Sequence, residues 1–238
     1  MDPYPVLVSE VMLQQTQIGR VVPKFEAFMD LWPDIESLAS ADMNVLMRAW
    51  SGLGYNSRAL RLREASRLVA ADGWPNSING LMGLPGVGPY TAAAIGSISF
   101  GEDVPAVDTN LRRVLSRWAG EPLEGSTLDA YALKVVGSPA GDWNQALMDL
   151  GAAVCTPKQP KCTICPVSEW CVDPAIYVPP PRQSRFEGSH RQLRGALLRA
   201  HLAGRDLLET GRELRRPDTE IQGAVSALKR EGLIGPDD

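Results

Sequence analysis

The four cysteines of this chain limit its fold more than any other feature, because all of them lie within seventeen residues. Their spacing is Cys155-x6-Cys162-x2-Cys165-x5-Cys171. The chain starts without the basic and apolar segments of a secretion signal, which argues against disulfides. Four thiols placed so close together predict a single metal centre instead.

Either a zinc ion or a [4Fe–4S] cluster can bind four thiolates. Structural zinc sites usually have two close ligand pairs, whereas only Cys162 and Cys165 form such a pair here. The spacing therefore favours a [4Fe–4S] cluster and leaves zinc as the alternative. Lys158 and Lys161 lie in the same loop and would present positive charge to a phosphate backbone.

The composition is that of a soluble globular chain, with 44% apolar and 22% charged residues among 238, and we expect it to be cytoplasmic. No apolar run reaches membrane-spanning length, so no membrane partner is expected. The net charge of −4 does not by itself favour a nucleic-acid partner. Two groups of arginines are either DNA-facing patches or solvated helix faces: Arg58, Arg61, Arg63 and Arg67, and Arg112, Arg113 and Arg117.

Apolar residues recur at helical spacing from residue 4 to about residue 175, and no stretch alternates as a strand does, so the predicted fold class is all-α. Besides a stripe from Val8 to Phe25, in which Pro23 is expected to start a new helix, stripes occur at Ile35–Leu38, Val45–Trp50, Ala59–Ala70, Thr91–Phe100, Leu111–Trp118, Leu128–Val136 and Asn144–Val154. The prolines Pro179, Pro180 and Pro181 predict a stiff linker. Two helices, Arg191–Ala203 and Thr219–Arg230, would then build a small helical or winged-helix-like unit.

The segment Leu84-Pro85-Gly86-Val87-Gly88 lies between two short helical stretches. Gly86 and Gly88 allow a sharp turn that exposes consecutive backbone N–H groups around Val87. Together with the start of the next helix, such a turn binds anions without needing a basic side chain. The pattern predicts a helix–hairpin–helix, by which an acidic protein can still hold DNA.

Two carboxylic acids stand in opposite environments. Glu10 has apolar neighbours on its helix, and burial favours the protonated acid. Asp108 directly precedes the helical run that begins at Asn110, a position where N–H groups and the helix dipole favour the anion. The two are a candidate acid and electrostatic pair, although a solvent-facing Glu and a plain N-cap Asp are the simpler interpretations.

These segments together resemble the adenine DNA glycosylase family of the endonuclease III-like helix–hairpin–helix superfamily. The matching stretches are Asp2-Pro3-Tyr4 with SEVMLQQTQ (9–17), WSGLGYNSRA (50–59), LPGVGPYTAAAI (84–95), PAVDTNLRRV (105–114) and the cysteine loop. The resemblance implies a six-helix barrel with the hairpin over residues 1–118, a [4Fe–4S] domain over 119–176 and a linker with a small appendage over 177–238.

The resemblance also implies roles for single residues. Glu10 matches the acid that protonates adenine N7, Asp108 the aspartate that stabilises the oxocarbenium ion, and Asn110 a residue that orients it. Tyr90 stands where endonuclease III-type enzymes carry a Schiff-base lysine, so we expect a monofunctional glycosylase without lyase activity. Gln15, Thr16 and Tyr55 match residues that enter the duplex around the base opposite the target. The hairpin residues Leu84, Gly86, Val87 and Gly88 would bind DNA, and Cys155, Cys162, Cys165 and Cys171 the cluster.

The expected function is base excision repair, by removal of adenine mispaired with 8-oxoguanine or guanine. The expected partner is double-stranded DNA with a mismatch or oxidised guanine, bound by a nucleoid-associated monomer. Two alternatives stay open: a thymine-mismatch or oxidised-pyrimidine glycosylase, and a non-catalytic iron–sulfur protein that binds DNA. The last is kept because relatives usually carry an upstream helix that lines the adenine pocket, and this sequence begins after it. The tail is shorter than the Nudix-like domain of many relatives and resembles compact actinobacterial-type members.

Overall fold

The structure, a computed structural model, describes residues 1–179 and 185–235. Within these residues the secondary structure is helical and contains no strand, which confirms the all-α prediction. The helices are α1 Pro3–Leu13, α2 Ile18–Leu31, α3 Ile35–Ala39, α4 Met43–Trp50, α5 Ser57–Asp72, α6 Ile78–Met82, α7 Pro89–Ser99, α8 Thr109–Ala119, α9 Gly125–Val135, α10 Ala140–Ala153, α11 His190–Leu202, α12 Leu207–Glu213 and α13 Asp218–Arg230. Short 3₁₀ turns occur at Cys162–Ile164 and Ser168–Trp170.

Polar residues just before several helices start them. The side chains of Asp42, Ser77, Asp108 and Ser189 each accept a hydrogen bond from a backbone N–H in the first turn of the helix that follows. The prediction that Pro23 starts a helix is wrong, because α2 begins at Ile18 and continues through Pro23. The helix gives up one backbone hydrogen bond at the proline but stays continuous, with Val21 and Phe28 buried.

The described residues form two compact units, of which the first holds residues 1–10 and 74–179. It contains the start of α1 and helices α6 to α10 with the cysteine loop. Its core includes Leu111, Leu115, Trp118, Leu128 and Leu147, all less than a tenth exposed. The unit therefore carries the hairpin, both candidate carboxylic acids and the predicted metal centre.

The second unit holds residues 11–73 and 185–235, with helices α2 to α5 and α11 to α13. These two units do not coincide with the domains predicted with boundaries at residues 118 and 176. Those domain boundaries stay a prediction. The end of the chain has three helices where two were predicted, because α12 is only seven residues long. Residues 185–235 contain no strand that could form a wing, so the small unit is helical.

Pro180 and Pro181 of the predicted linker lie outside the described residues. Among the helices that are described, none has both the length and the apolar character needed to cross a bilayer.

Candidate active site

Glu10 is a buried carboxylic acid on α1, with 8% of its surface exposed. Burial raises the pKa of this carboxyl, and the negative charge of Asp108 raises it further. A hydrogen bond from Tyr90 acts in the opposite direction and lowers the same pKa. Because the balance is upward, Glu10 is poised to hold a proton that it can donate.

Tyr90 is the second residue of α7, directly after the hairpin. Its hydroxyl donates a hydrogen bond to the sulfur of Met148 at 3.8 Å and also interacts with the Glu10 carboxyl, whose pKa it lowers. Burial and the two nearby carboxyl groups raise the pKa of Tyr90. The side chain is therefore a neutral hydrogen-bond donor that orients Glu10.

Asp108 is the N-cap of α8, as its sequence position predicted. Its Oδ1 accepts hydrogen bonds from the backbone N–H groups of Asn110 and Leu111, at 2.8 and 2.7 Å. Its Oδ2 accepts one from the side-chain amide of Asn110, also at 2.8 Å. Three N–H donors and the helix N-terminus stabilise negative charge on this carboxylate and fix its orientation.

Arg113, which the sequence placed only in a group of DNA-facing or solvated arginines, holds Asn110 in place. Its Nη2 donates to Asn110 Oδ1 at 2.9 Å and to the carbonyl of Gly151 at 2.5 Å, while its Nε donates to the carbonyl of Cys155 at 2.7 Å. One buried guanidinium thus connects the partner of Asp108 to the first cysteine of the loop.

Helix α10 positions the segment that leads into Asp108. The side chain of Asn144, fully buried, accepts from the N–H of Ala106 and donates to the carbonyl of Val104 and to Ser97 Oγ, each at about 3.0 Å or less. Gly151 lets α10 approach α8, because a Cβ at this position would lie 2.6 Å from the Cβ of Asn110. A sequence signal for both residues exists: Asn144, Leu147 and Gly151 share one buried helix face.

The predicted hairpin between α6 and α7 is present, as a tight turn that packs through Leu84 and Val87, both less than a tenth exposed. Gly86 has φ of +83°, a left-handed conformation that favours glycine. Gly88 is the N-cap of α7 and has ordinary extended backbone. A Cβ on Gly88 would meet no atom within 4 Å, so the protein's own packing does not require a glycine there.

Two of the predicted duplex-entering residues have strained backbone. Gln15 and Tyr55 have φ of +56° and +47°, values that are uncommon for residues with a side chain. Both are exposed, Tyr55 to 38%. Thr16 is more enclosed, and its hydroxyl donates to the carbonyl of Leu53 at 3.3 Å. Gln15 and Tyr55 thus combine uncommon backbone conformations with exposed side chains.

Arg58 fixes the two loops that carry these residues. Its Nη1 donates to the carbonyls of Val11, Met12 and Gln14, and its Nη2 to Thr16 Oγ1 and to the carbonyls of Leu53 and Gly54, at 2.7 to 3.1 Å. The guanidinium also lies 5.4 and 5.6 Å from the ring centres of Trp50 and Tyr55. Burial lowers the pKa of Arg58 to about 10, so the group is still charged at neutral pH.

The four cysteines line one pocket in the first unit, as expected for ligands of one centre. They surround the pocket rather than converge on a point: in the described residues no three Cys, His, Asp or Glu side chains are placed to hold a single ion. Burial and the other cysteines raise the pKa of the Cys171 thiol, because neighbouring thiolates repel one another. A cationic group larger than one metal ion fits such a set of donors.

Arg117, almost fully buried, organises this loop from α8. Its Nη1 donates to Cys155 Sγ and to the carbonyl of Thr156, and its Nη2 to the carbonyl of Pro157, each at 3.0 Å. The backbone carbonyl of Arg117 accepts from the N–H groups of Val172 and Asp173. Lys158 and Lys161 are exposed on the same loop.

Comparison with known families identifies two parts of the chain. Residues 8–127 match the "HhH-GPD superfamily base excision DNA repair protein", which is half of the chain. Residues 155–171 match the "Iron-sulfur binding domain of endonuclease III" and begin and end on the first and last cysteines. The second match confirms the predicted [4Fe–4S] cofactor, while the individual ligands stay a prediction.

Individual relatives agree with these families. The adenine DNA glycosylase of Mycobacterium tuberculosis (strain CDC 1551 / Oshkosh) is 40% identical over 212 residues, which cover 83% of this chain and 69% of the relative. The adenine DNA glycosylase of Homo sapiens is 45% identical over 180 residues, covering 71% of this chain and 33% of the human protein. Among solved structures, a thermostable thymine-DNA glycosylase superposes with a TM-score of 0.67 at 32% identity, over 72% of this chain and 83% of that one. The chain belongs to the HhH-GPD superfamily of base excision DNA repair proteins and, within it, to the adenine DNA glycosylase family.

Proposed function

We propose that this chain hydrolyses the N-glycosidic bond of adenine mispaired with 8-oxoguanine or guanine in double-stranded DNA. The observation that carries the proposal is the placement of Glu10 and Asp108. One is buried with a raised pKa, and the other accepts three N–H hydrogen bonds at a helix start. The negative charge of Asp108 raises the pKa of Glu10, which supports a role for the two groups as the acid and the anion of one site.

The chemistry follows from these two states. Glu10 gives its proton to adenine N7, which turns the base into a neutral leaving group as the bond from C1′ to N9 breaks. The sugar becomes an oxocarbenium ion, whose positive charge the Asp108 carboxylate stabilises. Water then adds to C1′ and returns a proton to Glu10. The products are free adenine and an abasic strand.

We propose that the enzyme is monofunctional. Strand cleavage by a glycosylase needs an amine that forms a Schiff base with C1′. The second residue after the hairpin is Tyr90, whose raised pKa keeps the hydroxyl protonated and a poor nucleophile. The abasic strand should therefore stay intact.

The four cysteines are proposed as ligands of the [4Fe–4S] cluster, which supplies a rigid cross-link within the loop. Arg117 would donate its hydrogen bond to the sulfur of Cys155 and favour the thiolate. The exposed Lys158 and Lys161 would then face DNA phosphates. All proposed catalytic residues come from one unit of one chain, in keeping with a monomer that acts on chromosomal DNA.

The test is single-turnover base release from duplexes that contain adenine opposite 8-oxoguanine, adenine opposite guanine, or thymine opposite guanine. We expect free adenine from the first two, no thymine from the third, and no strand cleavage until base is added. Glu10→Gln should lower the rate of release by 10²-fold or more, since it removes the proton donor, and should still bind the duplex.

The thymine substrate separates the main alternative, because thymine has no N7 for Glu10 to protonate. Release of thymine that survives Glu10→Gln would contradict the proposal in favour of a pyrimidine glycosylase. Binding without release of any base would leave a non-catalytic DNA-binding protein. Strand cleavage that borohydride traps would refute the monofunctional mechanism.

A further inference from the structure

The second unit contains a groove of about 630 Å³ that the proposed chemistry does not use. The loops that carry Gln15 and Tyr55 form one side together with Arg20 of α2, and helix α11 forms most of the other side. The two sides meet directly: Arg191 Nη1 donates to the Tyr55 hydroxyl at 2.8 Å, and its guanidinium lies 6.0 Å from the ring centre. The C-terminal helices thus reach the residues proposed to enter the duplex.

The groove is basic although the chain has a net charge of −4. Arg20, Arg191, Arg194 and Arg199 line it, and none of the described residues in its lining is acidic. Glu231, which does not line the groove, neutralises Arg194 and accepts two hydrogen bonds from its guanidinium, at 2.9 and 2.6 Å. Arg20 and Arg199 are exposed, and in the described part of the chain neither side chain has a hydrogen-bond or ion-pair partner.

We propose that this groove binds the sugar–phosphate backbone of the DNA substrate, with Arg20 and Arg199 as its main phosphate contacts. Two unpaired guanidinium groups in a concave surface attract a polyanion, because each can donate several hydrogen bonds to phosphate oxygens. The position beside Gln15 and Tyr55 places the contact where the duplex is opened. The proposal rests on the proposed function only for the identity of the polyanion as DNA.

Helix α11 then has a role in substrate binding that its sequence does not reveal. Arg199 comes from α11 and Arg20 from α2, and the carbonyl of Leu202 accepts from Arg48 of α4 at 3.5 Å. The C-terminal helices would extend the DNA-binding surface beyond the hairpin. They would add affinity through phosphates and not through base edges.

The experiment measures DNA affinity as a function of salt concentration, with an adenine:8-oxoguanine duplex and an undamaged duplex. Each phosphate contact adds about 0.9 to the slope of log K against log salt. We expect Arg20→Ala and Arg199→Ala each to lower the slope by about 1, on both duplexes, and the double variant by about 2. Arg199→Lys should keep the wild-type slope, because it retains the charge.

The matched control is Arg230→Ala, which removes the same charge from an exposed position at the end of α13, outside the groove. It should leave the slope unchanged, and all variants should unfold at the wild-type temperature. Equal slopes for Arg199→Ala and wild type would overturn the proposal, as would an equal decrease in the control. An acidic peptide as the true ligand would give the first of these results.

These outcomes are independent of base release. If the protein releases no adenine but the groove variants have a lower salt slope than wild type, the proposed function is refuted and the proposal for the groove stands. If the protein releases adenine but the substitutions leave the salt slope unchanged, the proposed function stands and the proposal for the groove is refuted.

Discussion

At the scale of single residues, three arginines act within the protein and not on its surface. Arg58, Arg113 and Arg117 are all less than a tenth exposed, and each donates to several backbone carbonyls. The sequence left two alternatives for their groups, DNA-facing patches or solvated faces, and for these three residues both are wrong. A guanidinium has five N–H donors in one plane, so one arginine can tie together chain segments that no short side chain would reach.

For one of these arginines, Arg58, the helical periodicity of the sequence contained a signal of burial. Arg58 shares a helix face with Leu62, Ala65 and Val69, all of which are buried in α5. A basic residue on the apolar stripe of a helix predicts a buried charge that must find acceptors. Which carbonyls would meet it was not predictable, because they come from two other segments.

Tyr90→Phe tests the coupling within the active site. Glu10 must be protonated to act, so the rate of base release falls as the pH rises through its pKa. Since the hydrogen bond from Tyr90 lowers that pKa, its removal should raise the pKa and move the basic limb of the rate–pH profile to higher pH. Single-turnover rates across pH check the direction. Tyr131→Phe on α9 is the control and should leave the limb in place, and a shift of the Tyr90→Phe limb to lower pH would contradict the mechanism.

At the scale of elements, the two glycines of the hairpin differ, because the fold itself requires a glycine at only one of the two positions. Gly86 adopts a left-handed conformation, so its lack of a Cβ serves the turn itself. Gly88 has extended backbone and open space around its Cα, so the fold would accept a side chain. A bare backbone at such a place suits the close approach of a phosphate to the start of α7.

Gly88→Ala should therefore fold normally, with a change in unfolding free energy within about 1 kcal/mol and of stabilising sign. Its affinity for duplex DNA should fall, by roughly tenfold, because the added methyl group stands between the backbone N–H groups and the phosphate. Thermal unfolding and DNA titration measure the two effects. Gly86→Ala is the counterpart and should lose stability; unchanged DNA affinity in Gly88→Ala would show that the hairpin does not approach DNA at this residue.

At the scale of the whole molecule, the metal loop depends on a helix far from it in sequence. Four of the carbonyl and sulfur groups around Cys155 accept hydrogen bonds from Arg113 or Arg117 of α8. Arg113 also reaches Asn110 and, through it, Asp108. The cysteine loop and the proposed catalytic anion are thus attached to the same helix.

Arg117→Met should disturb the iron–sulfur loop while keeping the volume of the buried side chain. The acceptors left without a partner should cost on the order of 3 kcal/mol in unfolding free energy. We expect wild-type protein to be brown with four irons per chain and the variant to contain less iron. Iron analysis and visible absorbance measure this. Arg112→Met, five residues away on a more exposed position of α8, should keep its iron. A fully loaded Arg117→Met protein would contradict the role given to Arg117.

The amino-acid sequence determined the features that depend on neighbours along the chain. Most helices, the glycine turn, the N-cap at Asp108 and the spacing of four thiols are local, and most of the helices and the hairpin were found where predicted. The short α12 and the continuity of α2 through Pro23 were missed, because packing there outweighs weak local signals. Tertiary structure alone decided that Tyr90 meets Glu10, that Arg113 and Arg117 are buried, and that α11 lines a groove beside Tyr55. Such contacts join residues distant in sequence, and their energy depends on burial and on acceptor geometry, which no local pattern of residues specifies.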